Sequence, residues 1–233
     1  MNTEIKLHPI QAQVLKTLLF KLQARFAELN LTGLTTDLFS FHLRQLRNDK
    51  LIQKNGDGGY ELTRVGKEFA NRLDTESLNI EKQAKVAVLV MPQKTIKGKI
   101  YYLVQKRLKQ PFFGYSGFLT GKVRWSETIG EAALRELREE TGLTGRVRLR
   151  GVKHKMDYSA GNEMLEDKFF FVFKADKLEG KLIEKFEGGE NRWLTRDEFF
   201  NLPDLFDGVE DNFVLVEKKG LKYLEKKYII KRY

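Results

Sequence analysis

The chain contains no cysteine and only three histidines, His8, His42 and His154, which lie far apart in the sequence. The absence of cysteine excludes a disulfide scaffold, a cysteine-ligated zinc finger and a cysteine nucleophile. Scattered histidines offer no clustered ligand set, so we expect no zinc site.

Long apolar runs are also missing. The longest, such as residues 86–91, are far too short to span a bilayer. The first residues show no basic stretch followed by an apolar run, which is the pattern of a signal peptide. We therefore expect a cytoplasmic protein without a membrane partner.

The chain does have enough apolar residues for a core, and it has an excess of basic charge. Hydrophobic residues make up 41% of the 233 residues, which excludes a disordered or fibrous chain. The formal net charge of +10 indicates a polyanionic partner or substrate. Most of this excess lies in residues 81–233, with 31 basic and 23 acidic residues against 11 and 9 in residues 1–80.

The character of the sequence changes near residue 80. Apolar residues at helical spacing and a turn signal at residues 55–59 predict three helices, a hairpin and a further helix within residues 1–75. Residues 76–84 are polar and aperiodic, and we predict a linker there. Residues 85–233 mix β-rich and helical segments and form the predicted second domain. Its end, residues 212–233, is predicted to be a basic amphipathic helix.

Residues 121–143 form the most informative segment. Thr128 and Glu131 have the spacing of a capping box, and Gly142 followed by Leu143 predicts the end of the helix. The segment is therefore expected to be a loop followed by one helix.

Three glutamates of this helix are related by three and four residues. Glu136, Glu139 and Glu140 therefore share one face, where their like charges repel. Three oxygen donors on one face suit Mg²⁺ or Mn²⁺, whose coordination substrate phosphates complete. A solvated helix in which Arg135 pairs with Glu131 and Glu139 is the other interpretation, and the carboxylates alone leave both open.

The spacing of the whole segment resembles the Nudix box, Gly-x5-Glu-x7-Arg-Glu-U-x-Glu-Glu-x-Gly-U, in which U is a bulky aliphatic residue. Every fixed position is filled, by Gly121, Glu127, Arg135, Glu136, Leu137, Glu139, Glu140, Gly142 and Leu143. The resemblance implies an α/β/α sandwich with a mixed sheet. It also implies a Mg²⁺-dependent hydrolase that cleaves a nucleoside diphosphate linked to another moiety, or a nucleoside triphosphate. A homodimer is possible, because Nudix domains often dimerise.

The resemblance assigns roles to these positions. The carboxylates matching Glu136, Glu139 and Glu140 hold the metal, and the arginine matching Arg135 orients a glutamate. Gly121 is expected to offer its backbone carbonyl to the metal, and Glu127 to be structural.

Family members often add an acidic residue from a later loop as a ligand or base. We select Glu190 for this catalytic role. The remaining candidates are Glu163, Glu166, Asp167 and Glu187.

The order of predicted elements in residues 1–75 resembles a small winged helix-turn-helix domain of the α+β class. Residues 37–46 would be its recognition helix and residues 55–59 its wing. Arginine, glutamine and asparagine read base edges in a major groove, and basic side chains contact phosphates. The candidate DNA-binding residues are Phe41, Arg44, Gln45, Arg47, Asn48 and Lys54. Winged helices also serve as dimerisation or docking modules, and the small net charge of residues 1–80 is compatible with that role.

Two functions therefore compete. The first is the metal-dependent pyrophosphohydrolase, favoured by the intact box. The second is a transcriptional regulator whose winged helix binds DNA and whose Nudix domain senses a nucleotide-like metabolite. A weaker third interpretation is an enzyme that acts on capped or triphosphate RNA ends.

Overall fold

The computed structural model describes residues 7–80 and 82–233. The chain divides into two compact units, the first ending at Lys82 and the second beginning at Gln83. Each unit has its own hydrophobic core, and each is described by itself.

The first unit combines helices with a small antiparallel sheet. Its described elements are α1 (Pro9–Phe20), α2 (Phe26–Leu29), α3 (Thr36–Asn48), β1 (Ile52–Lys54), β2 (Tyr60–Leu62) and α4 (Arg64–Ala70). The amphipathic pattern of α3 explains its packing, because Phe39, Leu43 and Leu46 are buried while most of its polar residues are exposed.

The predicted hairpin joins β1 to β2. Asn55 Oδ1 accepts the backbone N–H of Gly59 at 2.8 Å, and Gly58 supplies the positive φ of +79° that the turn requires. Thr63 then caps α4 by accepting the N–H of Gly66 at 2.9 Å. Gly66 lies so close to the hairpin that a Cβ atom there would be 1.7 Å from the Leu51 carbonyl oxygen.

The second unit is built on a nine-stranded mixed sheet. Its strand order is β11-β7-β8-β3-β4-β10-β9, with β5 paired to β4 and β6 to β3. The β3–β8 and β11–β7 pairs are parallel and the other pairs are antiparallel. The elements are β3 (Lys85–Ile96), β4 (Lys99–Arg107), β5 (Ser116–Gly117), β6 (Leu119–Lys122), α5 (Ile129–Thr141), β7 (Leu143–Tyr158), β8 (Met164–Gly180), β9 (Lys185–Phe186), β10 (Gly189–Leu194), α6 (Arg196–Phe200), α7 (Val209–Glu217) and β11 (Lys222–Ile229).

Helices cover both faces of this sheet. Successive side chains of a strand point to opposite faces, and β3 shows this directly. Val88 and Val90 pack with α5, whereas Ala87 and Leu89 pack in the same core as α6 and α7. The predicted α/β/α sandwich with a mixed sheet is therefore confirmed.

The end of the chain differs from the prediction. The expected helix over residues 212–233 is wrong, because α7 ends at Glu217 and a turn at Gly220 (φ +81°) leads into β11. In the C-terminal segment Tyr228 and Ile230 are both buried, which is the two-residue period of a strand rather than a helical period. In the sequence, the lysines of this segment were compatible with the solvated face of a helix as well as with an exposed strand.

None of the helices in the described ranges is both long enough and apolar enough to cross a membrane.

His154 ties β11 to its neighbours through two carboxylates. Its Nδ1 lies 2.7 Å from Glu225 Oε2 on β11, its Nε2 lies 2.8 Å from Asp167 Oδ1 on β8, and its ring stacks on Phe169. Both contacts are hydrogen bonds only when both ring nitrogens carry a proton. Burial opposes the charge, but the bonds to Glu225 and Asp167 outweigh it and raise the pKa of His154 above 6.5.

This contact predicts a pH-dependent stability. The pKa of His154 is higher in the folded protein than in the unfolded chain. Protonated His154 therefore stabilises the fold fully at pH values below its unfolded pKa, and this stabilisation is lost as the pH rises through its folded pKa. His154→Gln should therefore lower the unfolding free energy more at about pH 5 than at about pH 8. Urea unfolding followed by tryptophan fluorescence measures this, since Trp125 and Trp193 both lie in the second unit. An equal loss at the two pH values would contradict the account.

Candidate active site

Helix α5 carries the three predicted carboxylates and has the predicted ends. Thr128 Oγ1 accepts the N–H of Glu131, and Glu131 Oε2 accepts the N–H of Thr128 at 2.8 Å, which completes the capping box. Gly142 ends the helix in the left-handed region at φ +71°, and its N–H donates to the Arg138 carbonyl. Both ends of the helix that carries the three carboxylates are thereby fixed.

Arg135 is the centre of the site. Its guanidinium donates to both carboxylate oxygens of Glu127, at 2.6 and 2.9 Å, and to the Lys122 carbonyl at 3.0 Å. It also donates to Glu136 and, at 3.3 Å, to Glu139. One side chain that is only about 10% exposed thus joins the loop before α5 to two of the three carboxylates.

Glu127 holds the loop against the helix. It accepts from Arg135 and from the backbone N–H of Arg124 at 2.9 Å, and these bonds lower its pKa to about 2. The hydrogen bonds to Arg135 are the larger cause. The carboxylate is thus ionised and engaged, as expected for a structural residue.

Gly121 lies against Glu136. A Cβ atom at position 121 would be 1.8 Å from both Cδ and Oε1 of Glu136, so no larger residue fits without moving the carboxylate. Gly121 lies on β6, which pairs with β3, so the sheet brings its backbone to the carboxylate face of α5.

Glu140 is nearly as enclosed as Glu136, with side chains that are 12% and 10% exposed. It accepts from Gln105 Nε2 at 3.0 Å and has Lys109 Nζ at 4.0 Å. Burial, together with the charge of Glu136, raises its pKa in spite of the bond from Gln105. Burial thus disfavours the charged form of Glu140 although Lys109 and Arg107 lie nearby.

Gln105 and Asn191 both contact Glu140, and neither belongs to the predicted motif. Asn191 is buried, and its Nδ2 donates to the backbone carbonyls of Glu140 at 2.7 Å and Ile183 at 2.8 Å. Its Oδ1 accepts from Gln105 at 3.3 Å. Both residues lie outside the box, and only the pairing of β4 with β10 brings them together.

Glu190 is not brought to the carboxylates. It precedes Asn191 on β10, so its side chain points to the opposite face of the strand. There it pairs with Lys185 at 2.9 Å, is 42% exposed and has a lowered pKa. This position does not support the selection of Glu190 as ligand or base. Of the other candidates, Glu166 lines a cavity, and Asp167 contacts the ring of His154.

The donors fit a divalent cation by their chemistry. Within the described ranges, no three His, Asp or Glu side chains are grouped closely enough to hold a metal ion by themselves. Glu136, Glu139 and Glu140 nevertheless offer carboxylate oxygens on one face, and a cation would offset the repulsion by Glu136 that contributes to the raised pKa of Glu140. Mg²⁺ commonly uses one or two carboxylates and completes its shell with water and substrate phosphates, so the residues fit Mg²⁺ or Mn²⁺.

A cavity of about 440 Å³ opens beside this cluster in the second unit. Gly121 and Lys109 line it near the carboxylates, and aromatic side chains including Phe112 and Phe170 form part of its wall. Its lining includes seven Lys and Arg residues against three Asp and Glu residues. The site is thus a basic cavity next to a carboxylate cluster, which suits a phosphorylated ligand.

The candidate DNA-binding residues lie in the first unit. Phe41, Arg44, Gln45, Arg47, Asn48 and Lys54 are all exposed. Arg44, Arg47, Asn48 and Lys54 line one depression together with Lys50 and Arg64. Gln45 is instead tied to α1, because its Oε1 accepts from Gln11 Nε2 at 2.6 Å.

Comparisons with known proteins agree with this geometry. A family model described as the NUDIX domain matches residues 81–215. The uncharacterized Nudix hydrolase YvcI of Bacillus subtilis is 29% identical over 97 residues, or 41% of this chain. The matched region spans 61% of that relative's length.

Two solved structures are similar to this chain. A MutT protein from Bacillus halodurans superposes with a TM-score of 0.50 at 22% identity, covering 64% of this chain and 93% of its own. The NUDIX domain of Shewanella oneidensis NrtR, solved with ADP ribose, has a TM-score of 0.49 at 16% identity, covering 65% and 95%.

The contact between Gly121 and Glu136 gives a matched pair of predictions. Gly121→Ala should lower the unfolding free energy of the second unit by about 1–3 kcal/mol, because the added methyl group overpacks the site. Gly130→Ala is the control on α5, where a Cβ atom meets nothing within 4 Å. It should raise stability by about 0.5–1 kcal/mol, as alanine is the better helix former. Urea unfolding followed by tryptophan fluorescence measures the unfolding free energy of both variants. Equal changes in the two variants would contradict the close contact between Gly121 and Glu136.

Proposed function

The chain belongs to the NUDIX family, whose model covers more than half of it, and from that premise we propose that it is a Mg²⁺-dependent pyrophosphohydrolase. Its substrate class is a nucleoside diphosphate linked to another moiety, or a nucleoside triphosphate. The observation that carries the proposal is the set of bonds from Arg135 to Glu127, Glu136 and Glu139 beside a basic cavity.

The proposed reaction is hydrolysis of a phosphoanhydride. A water oxygen forms a bond to one phosphorus, the bond from that phosphorus to the bridging oxygen breaks, and the leaving phosphate keeps the electron pair. The water gives up its proton to a base. A bound Mg²⁺ or Mn²⁺ supplies charge neutralisation and lowers the pKa of the attacking water.

The chain's own residues have separate tasks in this proposal. Glu136, Glu139 and Glu140, with the Gly121 carbonyl, would hold the cation, and Arg135 positions two of these carboxylates. Lys109 and Arg107 line the cavity near Glu140, where their charges attract substrate phosphates.

The hydrolase proposal predicts loss of activity without loss of fold in Glu140→Gln. This change keeps the shape but removes one cation-binding charge, so kcat should fall by at least about 10²-fold. The assay incubates the protein with Mg²⁺ and a panel of nucleoside diphosphate sugars, dinucleotides and nucleoside triphosphates, and separates the products.

Glu190→Gln is the matched control for this assay. Because Glu190 pairs with an exposed lysine on the other strand face, kcat should stay within about threefold of the wild type. Chelation of the metal should abolish turnover, and added Mg²⁺ or Mn²⁺ should restore it. Full activity of Glu140→Gln, or activity in the presence of a chelator, would contradict the proposal.

A second candidate function is favoured by the first unit. Among the described residues, five basic side chains and no carboxylate line the depression next to α3, although residues 1–80 as a whole are nearly balanced in charge. We infer that the unit is a winged helix that contacts nucleic-acid phosphates with this surface, as in a regulator whose NUDIX domain senses a metabolite. Arg44 and Asn48 on α3 are the side chains suited to base edges.

The DNA-binding proposal predicts salt-sensitive binding that depends on this depression. Arg47→Ala should weaken binding to duplex DNA and reduce the slope of log affinity against log salt by about one. Lys67→Ala, an exposed lysine on α4 outside the depression, should change neither quantity. Fluorescence anisotropy with a labelled duplex provides the measurement. Absence of salt-dependent binding would leave the unit as a docking or dimerisation module.

A further inference from the structure

Three lysines form a row across three adjacent strands of the second unit. The register pairs Lys155 on β7 with Lys168 on β8, and Lys168 with Lys85 on β3. All three line the cavity. Like charges placed directly opposite one another destabilise a sheet, so this arrangement requires negative charge beside it.

The protein supplies only part of that charge. The neighbouring row holds Asp157 opposite Glu166. Glu166 accepts from Lys85 at 2.6 Å and lies 3.4 Å from Lys168, and Asp157 pairs with Lys155. A fourth lysine of the lining, Lys153, is 1% exposed and donates to the Gly208 carbonyl and Asn212.

The cavity as a whole keeps an excess of positive charge. Among residues 7–80 and 82–233, seven basic side chains line it against three carboxylates, an excess of four. Burial also raises the pKa of Asp207, one of those three. Within the row, Asp157 and Glu166 offset two of the three lysine charges, so one positive charge remains in excess there, and an anionic ligand would offset it.

The lysine row lies within reach of the carboxylate cluster. Gly121 pairs with Val88 on β3, and Lys85 is three residues earlier on the same strand. At the rise of an extended strand this is a separation of about 10 Å. Gly121 and the three lysines line the same cavity, so a ligand of about this length that contacts Gly121 also reaches the row.

We propose that this lysine row binds a phosphomonoester that the substrate carries in addition to its diphosphate linkage. The inference rests on the proposed hydrolase function and narrows its substrate class to nucleotides with a further phosphate on the ribose. The row formed by Lys85, Lys155 and Lys168 determines the preference for the additional phosphate. It strengthens binding of the substrate and takes no part in breaking the diphosphate linkage.

Paired substrates that differ by one phosphate test this directly. NADP⁺ against NAD⁺, and coenzyme A against dephospho-coenzyme A, are each hydrolysed with Mg²⁺. The phosphorylated member of at least one pair should have a kcat/KM at least about tenfold higher, chiefly through KM. Equal values within both pairs, or a preference for the unphosphorylated members, would overturn the inference.

Variants connect the preference to the row. Lys168→Gln should bring the kcat/KM ratio of the preferred pair towards one. Lys219→Gln removes an exposed lysine that does not line the cavity, and it should keep the wild-type ratio. An unchanged ratio in folded Lys168→Gln would assign the preference to other residues and overturn the inference.

A binding measurement separates this inference from the hydrolase proposal. Calorimetry without metal compares AMP with 2′,5′-ADP and 3′,5′-ADP. At least one bisphosphate should bind at least about tenfold more tightly than AMP to the wild type, and this advantage should be lost in Lys168→Gln. Equal affinities would overturn the inference even if the paired substrates were cleaved. Absence of all turnover together with a bisphosphate preference would contradict the hydrolase and support the phosphate site.

Discussion

The site depends on one buried guanidinium. Arg135 is nearly enclosed, and the cost of burying its charge is met only because Glu127, Glu136, Glu139 and the Lys122 carbonyl all accept from it. The same bonds fix where the carboxylates lie, so the buried guanidinium of Arg135 sets the shape of the cluster. Removal of one partner leaves part of this buried charge uncompensated, and the shared bonds tie the loop before α5 and the helix itself to one geometry.

The sheet gives this cluster its surroundings. Strand β6 places Gly121 against Glu136, and the pairing of β4 with β10 places Gln105 and Asn191 against Glu140. The basic cavity opens beside these contacts and continues to the lysine row on β7, β8 and β3. Attraction of a phosphorylated ligand, its hydrolysis and its selection would thus occur in one cavity of the second unit.

Local patterns in the sequence predicted much of this. The ends of α5 follow from Thr128 and Gly142, and the carboxylate face follows from helical spacing. The strand β11 was missed because its lysines suit a solvated helix as well as an exposed strand. Glu190 was selected by its place in the sequence, which does not reveal that its side chain lies on the strand face opposite to Asn191. The lysine row was invisible because register, rather than sequence distance, brings residues 85, 155 and 168 together.

The central claim is that Arg135 positions a cation-binding cluster. Titration of Mn²⁺ followed by electron paramagnetic resonance, on the wild type and on folded Arg135→Gln, tests it most directly. Electrostatics alone predicts that removal of a positive charge strengthens cation binding. The positioning account predicts that Arg135→Gln binds Mn²⁺ more weakly than the wild type, because Glu136 and Glu139 lose their fixed places. Equal or tighter binding by Arg135→Gln would contradict the account.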